Sequence, residues 1–206
     1  MVDRVNGRPP APTDTRMDRV EWYEEDLTGA EHERVLFEGL DMTDATGTRL
    51  RFIDCTFRNS RFDRMQLGAS LFENCTFIRC TLVGAVLTDC KLVGALFDKC
   101  ELERLEVIGG DWSFVGLPGA QLRKARFTGV RMRETDLVGA DLREGALLRC
   151  DLTSALWARA DLRKCDLRGS ELSSLDPLGA QLGHAVIDWT QAATVAANLG
   201  FDVRPD

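Results

Sequence analysis

The sequence predicts a solenoid, a chain that turns every fifth residue around one continuous core. Three observations predict it. Taking every fifth position from Phe37 to Ile187 gives 31 residues, and only Gly47 and Pro177 among them are not large and apolar. Apolar residues make up 44% of the chain, so chance would fill about half that many positions. Two residues before each of these the side chain is mostly small, as in Ala45, Cys55, Ser60, Ser70, Ala120, Ala140, Ala160 and Ser170. The frame never slips between residues 35 and 187, which leaves no room for an inserted loop or a second domain. A period of five fits neither the 3.6 of a helix nor the 2 of a flat strand. One large and one small inward position in every five therefore demand a path that bends repeatedly.

The elements follow in order. Residues 1–20 carry Pro9, Pro10 and Pro12 among polar neighbours, which predicts a disordered arm. Trp22, Leu27 and His32 extend the five-residue frame with poor small positions, a degenerate first coil. The regular repeats follow, with Leu50, Met65, Leu105, Val115 and Leu175 as bulky exceptions at the small position. Aspartate is prominent just before the large residue, as Asp136, Asp141, Asp151, Asp161 and Asp166. Gly109-Gly110 and the glycines of Gly116-Leu117-Pro118-Gly119 lie inside the frame and permit turns. After Ile187 the pattern changes to a short helix, with Thr190 as N-cap and Gly200 as stop. Ala192, Val195, Ala196 and Leu199 share one apolar face at helical spacing. A helix this short is marginal alone, so that face, with Trp189 and Phe201 beside it, is expected to cap the last coil or to join a second copy. The predicted division is an arm at 1–20, a repeat domain at 21–189 and a helix with tail at 190–206.

Composition narrows function. The chain has 206 residues and a formal charge of −7. An acidic balance argues against a general nucleic-acid binder, which needs clustered Lys and Arg, and permits a basic partner. No apolar run approaches the length of a membrane span, and the N-terminus has no apolar signal core, so the expected location is cytoplasmic. Two histidines, His32 and His184, and one tyrosine, Tyr23, are thin material for acid–base or metal chemistry. No GxxxxGK[ST], GxSxG or HExxH motif occurs. No enzymatic activity, catalytic residue, cofactor or metal is expected. All seven cysteines, Cys55, Cys75, Cys80, Cys90, Cys100, Cys150 and Cys165, fall on the small inward position without a CxxC pair. They read as small buried free thiols.

The pentads Ala140-Asp141-Leu142-Arg143-Glu144, Ala160-Asp161-Leu162-Arg163-Lys164 and Cys165-Asp166-Leu167-Arg168-Gly169 resemble the A(D/N)Lxx signature of the pentapeptide-repeat family. The resemblance implies an all-β fold, a right-handed quadrilateral parallel β-helix with one pentad per side and four per coil, here followed by the short C-terminal α-helix. Residues twenty apart would then stack, so Phe37, Phe57, Phe77 and Phe97 should form one interior ladder, continued by Leu117, Leu137, Trp157 and Pro177. Cys55 should lie over Cys75, and Cys80 over Cys100. The 31 pentads would make nearly eight coils, a rod roughly 37 Å long.

Within the family, Phe72-Glu73-Asn74-Cys75-Thr76-Phe77, Arg131-Met132-Arg133-Glu134-Thr135-Asp136-Leu137 and the tail from Asp188 to Val203 resemble the Mfp and Qnr quinolone-resistance group. The unbroken frame is similar to the loopless Mfp type. This resemblance implies a homodimer joined end to end through the C-terminal segments. It also implies DNA mimicry, an acidic rod lying in the basic saddle of a type II topoisomerase. DNA gyrase is then inhibited, or protected from antibiotics. Residues 1–90 carry 11 basic and 16 acidic groups, and residues 91–188 carry 14 and 15. Arg123, Arg143 and Arg163 should form a row beside Asp141 and Asp161, a self-neutralised ladder. Asp136, Asp151, Asp166, Glu171 and Asp176 are the candidate partner-binding residues, an acidic side near the C-terminal junction. The competing expectation is a structural or interaction rod with an unrelated partner.

Overall fold

A computed structural model describes residues 10–204. The backbone winds as a parallel β-solenoid in which each coil takes twenty residues, since Thr15 pairs with Val35, Thr56 with Thr76 and Glu106 with Arg126. One wall stacks the short strands Thr15–Asp18, Val35–Glu38, Thr56–Arg58, Thr76–Ile78 and Leu96–Asp98. A second stacks Glu31–Glu33, Arg51–Ile53 and Leu71–Glu73, and a third runs from Thr46–Thr48 to Ala146–Leu148. The fourth is held by single bridges from Glu21↔Asp41 through Asp141↔Asp161 to Asp161↔Gln181.

The corners explain the period of five. The last residue of nearly every pentad has positive φ, and many of these residues are not glycine: Asp44 at 58°, Arg64 at 56°, Lys124 at 61° and Glu134 at 53° are examples. This left-handed conformation costs an L-residue about 1–2 kcal/mol and turns the chain through the corner. Where the corner closes tightly, the next small residue donates back three positions, as Ala45 N does to Met42 O at 3.1 Å, the bond of a β-turn. Aspartate before the large residue braces the same turn. Oδ1 of Asp41, Asp111, Asp136 and Asp141 accepts the backbone N–H two residues on, at 2.9–3.1 Å. The aspartates of the repeat are therefore turn-forming residues first.

Inside, the large residues stack in register. The rings of Phe37, Phe57, Phe77 and Phe97 lie parallel with centroids 5.1, 4.9 and 4.6 Å apart, and Trp112 extends the aromatic core to Phe127. The seven cysteines are buried and free. They do more than fill space, because they share the hydrogen-bonding role of serine at the same position. Ser60 Oγ accepts from Leu40 N in the preceding coil and donates to Arg58 O, and Cys100 Sγ likewise accepts from Cys80 N and donates to Asp98 O.

The N-terminal boundary differs from expectation. Residues 15–18 are not a disordered arm; they form a strand on Val35–Glu38. Met17 lies twenty residues before Phe37 and packs against the core, so the five-residue frame already begins there. Of the predicted arm, residues 1–9 lie outside the described residues. Trp22, Leu27 and His32 line the coil that follows, with Trp22 and His32 ring to ring at 5.4 Å.

Candidate functional surfaces

The C-terminal end is closed by helix α1, Trp189–Asn198. Its N-cap is Asp188, not Thr190: Asp188 Oδ1 accepts from Gln191 N at 3.0 Å, and Gln191 Oε1 accepts from Asp188 N at 2.9 Å. This reciprocal capping box satisfies two orphan donors. Asp188 Oδ2 also accepts from Gly169 N, tying the helix start to the rod. These backbone donors hold its carboxyl below the usual aspartate range. Gly200, at φ 90°, ends the segment as the sequence suggests.

A finished coil leaves carbonyls with no next coil to receive. Gln191 Nε2 donates to Leu167 O and Ser170 O, at 2.6 and 2.7 Å, and Asn198 Nδ2 donates to Leu172 O and Leu175 O, at 3.2 and 2.8 Å. The helix thus docks through Gln191, Val195 and Asn198, with Val195 against the core. The predicted apolar face divides accordingly. Val195 and, in part, Ala196 turn toward the rod, while Ala192 and Leu199 are exposed. Trp189 is 93% exposed and Phe201 67%. Exposed Leu178, Val186 and Val203 add to the apolar surface of this end.

The five candidate acidic residues fall on different walls. Asp136 lies on one wall, with Asp176 forty residues on where the register shifts by one (Arg159 N donates to Gly179 O); Asp151 and Glu171 lie on the next, and Asp166 on a third. Arg133 lies 2.5 Å from Asp151, and Arg168 2.7 Å from Asp166. Burial works against the charge of Asp151, yet hydrogen bonds from Thr153 and Arg133 bring its carboxyl below the usual range. Hydrogen bonding from Arg168 does the same for Asp166. Asp136 is buried apart from its edge. Glu171 spends Oε1 on Ser173 N at 2.7 Å, and Asp176 Oδ1 accepts from Leu178 N at 2.9 Å. The arginine row is neutralised in place, with Arg143 on Asp141 and Asp161, Arg163 on Asp161 and Arg123 on Glu144. Of the five candidate acids, Asp151 and Asp166 are thus ion-paired, while Asp136, Glu171 and Asp176 are held by backbone N–H groups.

Comparison with known proteins agrees with this architecture. The family described as Pentapeptide repeats matches in eight copies, over residues 66–104, 117–144 and 147–176. The pentapeptide repeat protein MfpA of Mycobacterium tuberculosis (strain ATCC 25618 / H37Rv) is 33% identical over 109 residues, 53% of this chain. The matched region spans 57% of that relative's length. Among solved structures, a trypsin-treated variant of QnrB1, a plasmid-mediated fluoroquinolone resistance protein, superposes with a TM-score of 0.54. It is 19% identical, with 94% of this chain and 99% of that chain covered, a likeness of fold.

Proposed function

The chain belongs to the pentapeptide-repeat family, and from that premise we propose that it binds a type II topoisomerase, DNA gyrase, as a rod-shaped stand-in for DNA. It acts by occupying a surface, not by catalysis, and it acts in the cytoplasm. The observation that carries the proposal is an uninterrupted rod of net negative charge ending in an exposed apolar tip, where Trp189 and Phe201 stand unburied. Two rods joined at those tips double the charge of −7 to −14 and the length of the superhelix. Such a body suits a basic groove shaped for a duplex. The similarity to MfpA supports the same reading.

Ion pairing on the walls favours a second reading, a rod whose partner recognises shape instead of a strong negative field. Salt dependence separates the two. The DNA-mimic reading expects purified gyrase subunits to bind an immobilised rod, with affinity falling at least about tenfold as salt rises from about 50 to 200 mM. Binding without salt dependence supports a shape-reading partner surface, and no binding contradicts the proposal.

A further inference from the structure

The two ends of the rod are finished differently. At the C-terminal end, open carbonyls of the last coil receive side-chain donors from helix α1. At the N-terminal end, among the described residues, no element plays this part. Thr15–Asp18 and Glu31–Glu33 are each the outermost strand of a wall and pair on one side only. Between them the first coil joins the second through the bridges Glu21↔Asp41 and Asp26↔Thr46. In the second coil, Asp41 N donates to Val20 O and Thr46 N to Glu25 O, both at 2.9 Å. The equivalent N–H groups of Glu21 and Asp26 face the open end and meet no acceptor among the described residues. An open edge of this kind accepts an added strand.

The interior beneath this edge is also uncovered. Phe37 and Met42 of the second coil are fully buried. Their counterparts in the first coil, Met17 and Trp22, are only partly buried against the core, as is Leu27 beside them. Around this apolar floor the charge is one-sided. Residues 14–34 carry eight acidic and three basic side chains, net −5 of the chain's −7. Arg16 pairs with Asp18, Arg34 with Asp14 and Arg51 with Glu31. Glu21, Glu24, Glu25 and Asp26 are exposed and, among the described residues, hold no cation.

We infer that the first coil binds a short extended segment of a partner protein, one in which Lys or Arg alternates with an apolar residue. The backbone of that segment accepts from Glu21 N and donates to Glu21 O, the roles that Val20 O and Trp22 N play for Asp41. Side chains of an added strand alternate between the two faces. The apolar ones therefore cover Trp22, and the cations fall beside Glu21 and toward Glu24 and Glu25. A helical partner does not serve this edge, because its backbone groups are spent within the helix. Charge selects the occupant among extended chains. A second copy brings the same net −5 to the contact and is repelled, and a nucleic acid is repelled likewise. The inference concerns the end opposite helix α1 and does not rest on the topoisomerase reading.

The test uses the full chain and the labelled peptide acetyl-Lys-Val-Lys-Val-Lys-Val-Lys-amide. Fluorescence anisotropy is expected to show saturable binding at about 50 mM salt. The same peptide with every backbone nitrogen methylated keeps its charge but cannot pair, and should bind at least about tenfold more weakly. The variant Glu21→Gln, Glu24→Gln, Glu25→Gln should lose at least about tenfold in affinity. Glu101→Gln, Glu103→Gln, Glu106→Gln makes an equal charge change at exposed positions in the middle of the rod, and should bind within about twofold of the parent. Unchanged melting shows that both variants fold. Residue-resolved hydrogen exchange reads the edge itself. The Glu21 amide should exchange freely in the chain alone and at least about tenfold more slowly with peptide bound. No saturation at about 1 mM protein, equal binding of the methylated peptide, equal affinity of the two variants, or a Glu21 amide already protected in the chain alone overturns the inference. Gyrase binding measured separately decides the topoisomerase reading, so either can fail alone.

Discussion

The interior of this rod allows little latitude for a single atom. At Gly110, a Cβ would lie 2.1 Å from Cys90 O, and φ is 85°. Gly129 has a similar φ of 64° but open space where its Cβ would stand. Gly129→Ala is therefore expected to cost only the left-handed penalty, about 1–2 kcal/mol. Gly110→Ala adds a backbone clash and should cost at least about 2 kcal/mol more. Denaturant midpoints compare the two, and equal losses would show that the coil spacing yields at Gly110. The thiols give a second test. Burial pushes Cys165 up to about 12 and raises Cys90 and Cys150. All seven are enclosed, so a thiol-reactive dye at about pH 8 should leave the native protein unlabelled. It should label all seven after unfolding; rapid native labelling would mean an open core. The large inward positions were legible in sequence because they recur every five residues, and the twenty-residue stacking of the phenylalanines was what the family resemblance implied. The corners were not. Arg64, Lys124 and Glu134 carry no mark of their left-handed backbone, and aspartate before leucine looks like surface charge until its turn bond is seen.

At the scale of elements, the two ends depart most from a reading of hydrophobicity. Helix α1 was recognisable by its alanines, but its docking face was not. Gln191 and Asn198 serve open carbonyls of the last coil, a need that apolar periodicity does not register. Gln191→Ala should leave two carbonyls without their donor and cost about 1–3 kcal/mol. Hydrogen exchange should show fraying confined to the last coil and helix; a melt of the whole rod would contradict this local role. At the other end, Met17 was the one frame residue in the first strand, too slight a signal against three prolines. His32 sits half-buried among Trp22, Phe37 and Phe52, with Glu31 and Glu33 as its chain neighbours. Burial lowers its pKa below the ordinary 6.5. The fold therefore favours neutral imidazole. This contribution is complete above the ordinary value and is lost as pH falls through it toward the lowered one. The first coils should exchange amide hydrogens faster at about pH 5 than at pH 7, and His32→Phe should flatten the difference. An unchanged pH dependence in that variant would place the titration elsewhere.

The whole molecule is a stack in which each coil covers its neighbours and helix α1 closes the C-terminal end. The apolar surface around Trp189 predicts an end-to-end dimer, and the structure selects the variant that tests it. Val195 also holds the helix to the rod, so charging it would disturb the cap itself. Trp189→Asp with Leu199→Asp instead changes exposed positions alone. Light scattering should give a dimer for the parent chain and a monomer of unchanged melting temperature for this variant; a retained dimer moves the interface to a wall. The most direct measurement of the central claim is gyrase supercoiling with and without a cleavage-stabilising fluoroquinolone, titrated with the purified rod to about 10 µM. The account predicts inhibition of supercoiling, or rescue from the drug, and loss of that effect in the Trp189→Asp, Leu199→Asp monomer. Supercoiling unaltered under both conditions would contradict it.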